Sequence, residues 1–242
     1  MRSVVEVVNC SAGYGDQIVV RDVSLSLDER EVLAVFGANG AGKSTVLRAL
    51  LRTADIFNGS ISILGRNISK LAPHEIPNLG VGALPQGGNV FPSLTVRENL
   101  SIALRKGGRD LVSQMVARAV ANYPEISAHL DRPAAVLSGG ERQILGICRA
   151  FVTDPRLVVL DEPGAGLPPG LLAKLLDRVC RAVREGGKGL LLVEHNASVT
   201  LALADKVVVL RDGNVVYADS ARALSIDQLA RLMLVSQPTP ND

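Results

Sequence analysis

Apolar positions in this chain follow two periods. Val4 to Val8, Ile18 to Val20 and Val32 to Phe36 are short β-branched or apolar runs between polar turns, and they predict strands. From Ser44 the spacing becomes Val46, Leu47, Leu50 and Leu51, which is helical. In "SLTVRENLSIAL", Thr95 with Glu98 three residues on predicts a capped helix start, and Leu100 and Leu104 its apolar face. Leu111, Val112, Met115, Val116, Ala119 and Val120 continue at helical spacing until Tyr123 and Pro124 stop them. "RLVVLDEP" and "GLLLVEHN" are continuous apolar runs tipped with acids, the form of parallel strands buried on both faces. "VVVLRDGNVVYA" predicts a hairpin from Val207 to Tyr217 around Asp-Gly.

Strands alternating with helices predict an α/β fold with a mostly parallel sheet, whose ligands gather at the carboxyl ends of the strands. Both acid-tipped runs then aim at one site. The helices between Gly88 and Val136, with proline joins near Pro92 and Pro133, predict a helical insertion over 88–136 in a core formed by 1–87 and 137–242. The terminal "QPTPND" is expected to be disordered.

Composition narrows the function classes. The 242 residues carry 26 Lys and Arg against 24 Asp and Glu, scattered along the chain, so nothing marks a nucleic-acid surface or a polybasic membrane patch. No apolar run approaches the roughly 18 residues of a membrane span. The Met1 end lacks a signal-peptide pattern. Cys10, Cys148 and Cys180 form no CxxC pair, which argues against a disulfide framework and a zinc site. The expectation is a cytoplasmic protein with reduced thiols.

Four stretches carry candidate chemistry. Gly37, Ala38, Asn39, Gly40, Ala41, Gly42, Lys43, Ser44 and Thr45 contain G-x-x-x-x-G-K-[ST] between a predicted strand and a predicted helix. Backbone amides there can wrap phosphates, Lys43 can neutralise them, and the Ser44 hydroxyl can ligate Mg²⁺. Asp161 ends an apolar strand, an expensive place for a carboxylate unless a cation compensates it, and Glu162 beside it is a candidate general base. In "LSGGERQ", Ser138 and Glu141 read as a capping box. Gly139 and Gly140 add uncovered amides at a helix N-terminus, available to an anion. Gln86, His195 and Tyr14 are weaker signals singly: an amide suited to Mg²⁺ or water, a strand-tip imidazole that could meet a phosphate, and a ring that could stack on a base.

Taken together, "GANGAGKST", Gln86, "LSGGERQ", "RLVVLDEP" and His195 resemble an ABC-transporter ATPase in order and spacing over nearly the whole chain. The resemblance implies a P-loop NTPase core with an N-terminal antiparallel β-subdomain and a helical insertion. It implies ATP stacked on Tyr14 and held by residues Gly37 to Thr45, Mg²⁺ held by Ser44, Gln86 and Asp161, and Glu162 as the catalytic carboxylate. Lys43, Gln86 and His195 complete the catalytic set. It further implies a head-to-tail pair, homodimeric or heterodimeric, in which Ser138, Gly139 and Gly140 of one subunit close over the ATP of the other. Transmembrane permease subunits and, indirectly, a solute-binding protein are the implied partners, with the chain peripheral on the cytoplasmic face of the inner membrane. "NVFPSLTVRENL" and "DEPGAGLPP" resemble importers of branched-chain amino acids, urea or amides; Pro168 and Pro169 replace the Asp of many relatives. An exporter ATPase and a soluble ABC ATPase outside transport are the alternatives.

Overall fold

Two strands of 12 residues each open the fold in the computed structural model, which describes residues 2–87, 90–104, 109–121 and 123–234. Strands β1 (Ser3–Tyr14) and β2 (Gln17–Asp28) pair antiparallel across a tight turn at Gly15. The apolar runs Val4 to Val8 and Ile18 to Val20 are only parts of them. Register shifts between Val7 and Cys10 and between Cys10 and Ala12, with Asn9 at φ 45°, interrupt the alternation that would have extended the first run. Gly88 and the terminal "QPTPND" lie outside the described residues.

The remaining elements follow in the order β3 (Val32–Gly37), α1 (Lys43–Leu50), β4 (Asp55–Ile63), β5 (Arg66–Asn67) and, after a 3-10 helix at Pro73–Leu79, β6 (Val81–Leu84). Next come α2 (Val96–Ser101), α3 (Arg109–Val120), α4 (Pro124–Ser127) and α5 (Gly139–Phe151). The chain ends with β7 (Leu157–Asp161), α6 (Pro169–Glu185), β8 (Gly189–Val193), α7 (Ala197–Leu203), β9 (Lys206–Arg211), β10 (Asn214–Ser220) and α8 (Ile226–Leu234). One sheet is antiparallel with order β2-β1-β4-β5; the other has order β10-β9-β3-β8-β7-β6. In the second, every pair is parallel except the β9–β10 hairpin, which turns at Asp212 and Gly213 as the sequence predicts. The architecture is the expected α/β one. No described helix is long and apolar enough to cross a membrane.

Helix starts follow local chemistry. Thr95 Oγ1 accepts the Glu98 amide at 3.1 Å while Glu98 Oε2 accepts the Thr95 amide at 2.8 Å, the reciprocal cap expected there. Helix α2 ends at Ser101, one turn short of Leu104. The Ser101 hydroxyl donates to the Arg97 carbonyl at 2.7 Å, a local bond that competes with helix continuation. Pro124 does more than stop α3: it is the first residue of α4, where its missing amide costs nothing. Pro169 opens α6 in the same way.

Strands β7 and β8 are buried throughout and send alternate side chains to opposite faces. Leu157, Val159, Leu191 and Val193 join the core that contains the buried face of α1, with Val46, Leu47, Ala49 and Leu50. Val158, Leu160, Leu190 and Leu192 join a second core shared with α5 and α6 and with Val96, Leu100, Val116, Val120 and Ile126. Each buried Leu or Val contributes about 1.5–3 kcal/mol, so both faces resist a slip of register. The period of two extends past the apolar residues: Asp161 continues the α1 side of β7, and Glu194, just beyond β8, continues the α6 side.

Candidate active site

The glycine-rich loop lies at the β3–α1 junction. Gly42 caps α1 at φ 99°, in the left-handed region, and a Cβ there would lie 2.4 Å from Val20 Cγ1. Lys43 follows, only 7% exposed, and its Nζ donates to the Gly37 carbonyl at 2.8 Å and the Ala38 carbonyl at 3.0 Å, closing the loop on itself. Burial lowers the Lys43 pKa, and the carboxylates of Glu162 and Asp161 oppose that shift. Asn39, Gly40, Gly42, Lys43, Ser44 and Thr45 line one wall of a cavity of about 480 Å³.

The opposite wall comes from the strand tips: Gln86 after β6, Glu162 after β7 and His195 after β8. These three side chains meet. Glu162 Oε2 accepts from Gln86 Nε2 at 2.9 Å, and Glu162 Oε1 lies 2.7 Å from His195 Nε2. Glu162 holds φ at 53°, a left-handed conformation that costs a non-glycine residue about 1–3 kcal/mol. The Glu162 amide, donating to the Val193 carbonyl at 2.9 Å, fixes that conformation and aims the carboxylate into the cavity.

Asp161 is 5% exposed and faces α1, where the Ser44 side chain lies beside its carboxyl. Its Oδ1 is buried without a hydrogen-bond partner among the described residues. Burial is the largest influence on its carboxyl and pushes the pKa up; the neighbouring Ser44 hydroxyl pulls the other way.

Not every predicted residue gathers here. Among the described residues, neither Tyr14 nor Ser138, Gly139 and Gly140 line the cavity. Tyr14, at the end of β1, accepts from Arg48 Nη1 at 3.1 Å, and the Arg48 guanidinium lies 5.9 Å from its ring centroid. Ser138 caps α5: its Oγ accepts the Glu141 amide at 3.3 Å and Glu141 Oε2 accepts the Ser138 amide at 2.7 Å. A Cβ on Gly139 would meet nothing within 4 Å, so its backbone is uncovered.

The acid that tips "GLLLVEHN" is Glu194, to which the sequence assigns no role. Glu194 is 5% exposed, and its two carboxylate oxygens accept the amides of His195 at 2.7 Å and Gly164 at 3.1 Å. The signal that aims it at the site is the one that singled out Asp161, an acid at the tip of a wholly apolar strand.

Comparison with known proteins places the chain. The sequence profile described as ABC transporter matches residues 20–165. The chain is 36% identical over 217 residues to a probable branched-chain amino acid transport ATP-binding protein LivF of Archaeoglobus fulgidus, covering 90% of this chain and 92% of that one. It is 34% identical to the high-affinity branched-chain amino acid transport ATP-binding protein BraG of Pseudomonas aeruginosa, over 88% of this chain and 91% of that one. Similarity of 31%, over 97% of this chain and 98% of the other, extends to the lipopolysaccharide export system ATP-binding protein LptB of Haemophilus influenzae. The crystal structure of a nucleotide-free ATP-binding cassette from an ABC transporter superposes with a TM-score of 0.82 at 23% identity, over 95% of this chain and 94% of that one. A dimeric bacterial ABC transporter cassette superposes with a TM-score of 0.80 at 23% identity, over 90% of this chain and 99% of that one. The chain belongs to the ABC transporter family, as an ATP-binding cassette that hydrolyses ATP.

Proposed function

We propose that this chain is the ATPase subunit of an importer of branched-chain amino acids or a similar small polar solute, working as one half of a head-to-tail pair docked on membrane permease subunits. The observation that carries the catalytic part is the clamp on Glu162, whose two oxygens are fixed by Gln86 and His195 across the cavity from Lys43. Residues 37–45 bind the phosphates of ATP, and Tyr14 stacks on its base. Glu162 accepts a proton from the attacking water as the new bond to the γ-phosphorus forms and the bond to the bridging oxygen breaks, giving ADP and phosphate. His195 orients Glu162 and meets the γ-phosphate. Ser138, Gly139 and Gly140 bind the ATP of the opposite subunit, which agrees with their position outside this chain's own cavity. Residues 88–136 form the helical unit that passes closure to the permease.

A divalent cation suits the residues present: Asp161 offers a buried, unpartnered oxygen and Ser44 a hydroxyl beside it, hard donors of the kind Mg²⁺ takes alongside phosphate oxygens. Bound by Ser44 and Asp161, with Gln86 of the same cavity as the third donor, the ion would neutralise charge on the phosphates. Asp161→Asn separates this role from folding. Because burial raises the folded pKa, the ionised carboxylate costs stability, a cost absent at low pH, growing as pH rises from the unfolded pKa to the folded one, and fully present above it. The variant is therefore expected to melt higher than the native chain at neutral pH in EDTA, by about 2–4 °C for each ~1 kcal/mol relieved. Mg²⁺ added with ADP should no longer raise its melting temperature beyond ADP alone. A native-like Mg²⁺ response would remove Asp161 from the metal site.

Support for the solute class comes from the relatives named branched-chain amino acid transport proteins and from the stretch "DEPGAGLPP". The test is purification from the native membrane, identification of the bound subunits, and measurement of phosphate release in proteoliposomes. Stimulation several-fold by branched-chain amino acids presented with the solute-binding protein is expected. Stimulation by lipopolysaccharide, or recovery without membrane subunits, would overturn the importer reading.

A further inference from the structure

Glu194 is the buried charged group at the strand tips that hydrolysis leaves unused. We propose that it is a positioning residue, which ties the histidine beyond β8 to the loop beyond β7 and thereby couples a subunit's own γ-phosphate contact to its own signature helix, α5. The inference rests on the head-to-tail reading above and deepens it.

Glu194 bridges two segments with the two oxygens of one carboxylate, one on the His195 amide and one on the Gly164 amide. Strands β7 and β8 are adjacent, with Asp161 paired to Val193, so the bracket spans neighbouring tips at a single level of the sheet. Gly164 is shaped for it. A Cβ at that position would lie 2.1 Å from Leu172 Cδ1 and 3.0 Å from Glu194 Oε2, so a side chain there would displace the carboxylate or α6. The chemistry requires an acceptor at both ends. A glutamine offers one oxygen and would turn its NH₂ on the other amide, and an alanine would leave two buried donors unmatched.

The loop from Gly164 leads into α6 and packs on the way against α5. The Ala165 carbonyl accepts from Gln143 Nε2 at 3.5 Å, and the Leu167 side chain sits 3.1 Å from where a Cβ of Gly140 would be. The path therefore runs from His195 through Glu194 to Gly164, along Ala165 and Leu167, and into Gly140 at the start of α5. In a head-to-tail pair, His195 meets one ATP and Gly140 the other. A shift of His195 toward a γ-phosphate is carried by this path to the lid of the opposite site.

The test compares the full-length native chain with Glu194→Gln and Glu194→Asp by hydrogen exchange with and without ATP, together with ATP affinity, kcat, KM and melting temperature. Aspartate is the second variant because it keeps the charge and its neighbouring His195 contact but is too short to reach Gly164. In the native chain ATP slows exchange over 37–45, 163–168 and 138–142. In both variants protection over 37–45 survives and ATP affinity stays within about twofold, while protection over 163–168 and 138–142 is lost. On the same footing kcat falls about tenfold with little change in KM, since small misplacements of catalytic groups cost up to ~10²-fold. A purely structural Glu194 would lower melting temperature yet leave the ATP response of 163–168 and 138–142 intact, and that result overturns the proposal. Absence of ATP protection over 37–45 in the native chain would instead strike the nucleotide reading beneath it.

Discussion

Glu162→Gln is expected to lower turnover by roughly 10²–10⁴-fold, the range a positioned general base supplies, while ATP binding survives. The substitution keeps the shape of the side chain and its backbone anchor, the Glu162 amide on the Val193 carbonyl. What it removes is the site for the proton of the attacking water. Gln86 Nε2 and His195 Nε2 hold the native carboxylate at 2.9 and 2.7 Å, so the oxygens are already placed and no rearrangement has to precede proton transfer. Binding survives because Lys43 and the loop it closes are untouched, and the loss of one negative charge eases repulsion of the phosphates. Phosphate release and equilibrium ATP binding measured on the same preparation separate the two effects. The stalled variant should also accumulate as an ATP-loaded pair, visible by light scattering. Turnover at the native rate would remove Glu162 from its role.

The same geometry explains which parts of the fold were legible in the sequence. Strands β7 and β8 stand out as unbroken apolar runs because cores lie on both faces, and the β9–β10 hairpin stands out because Asp-Gly adopts its turn at little cost. Strand β4 does not. Its "DIFNGSISI" exposes Phe57 and carries Gly59 at φ 78° in mid-strand, so alternation is confined to the four residues 60–63 and there is no apolar run. Bulges hid half of β1 for a related reason, since each extra residue inverts the pattern of faces.

The site divides in the same way. Residues 37–45 are legible because their glycine spacing falls between a strand and a helix, the pattern of a phosphate-wrapping loop, and Asp161 because a carboxylate ending an apolar strand needs a reason. Gln86 and His195 have no such local logic. One follows a four-residue strand and the other an ordinary buried strand; their own chemistry made them weak signals, and resemblance to a family strengthened them before the structure joined both to Glu162. Glu194 satisfies the same rule as Asp161 yet belongs to none of the motifs, and three-dimensional hydrogen bonds were needed to reveal its two partners.

Lys43→Ala is the second large effect, and it falls on binding. Native Lys43 is nearly buried and spans the loop, with Nζ on the carbonyls of Gly37 and Ala38. Alanine removes those bonds together with the cation that offsets Asp161 and Glu162, leaving two carboxylates to face an anionic ligand. Hydrogen bonds to charged groups are worth about 1.5–3 kcal/mol each, so loss of one such contact to phosphate weakens ATP affinity by about 10–150-fold. Asp161, relieved of the Lys43 charge that lowers its pKa, moves further up, and cation binding weakens with it. Lys43→Arg keeps the charge but presents a broad planar head where a narrow ammonium threads between two carbonyls, so it should recover little of the loss. Fluorescent ATP titration against the native chain, with melting temperature as a control for folding, reads the effect directly. Unchanged affinity in a folded Lys43→Ala chain would mean that the glycine-rich loop does not hold the phosphates, and the assignments of Asp161 and Glu162 would fall with it.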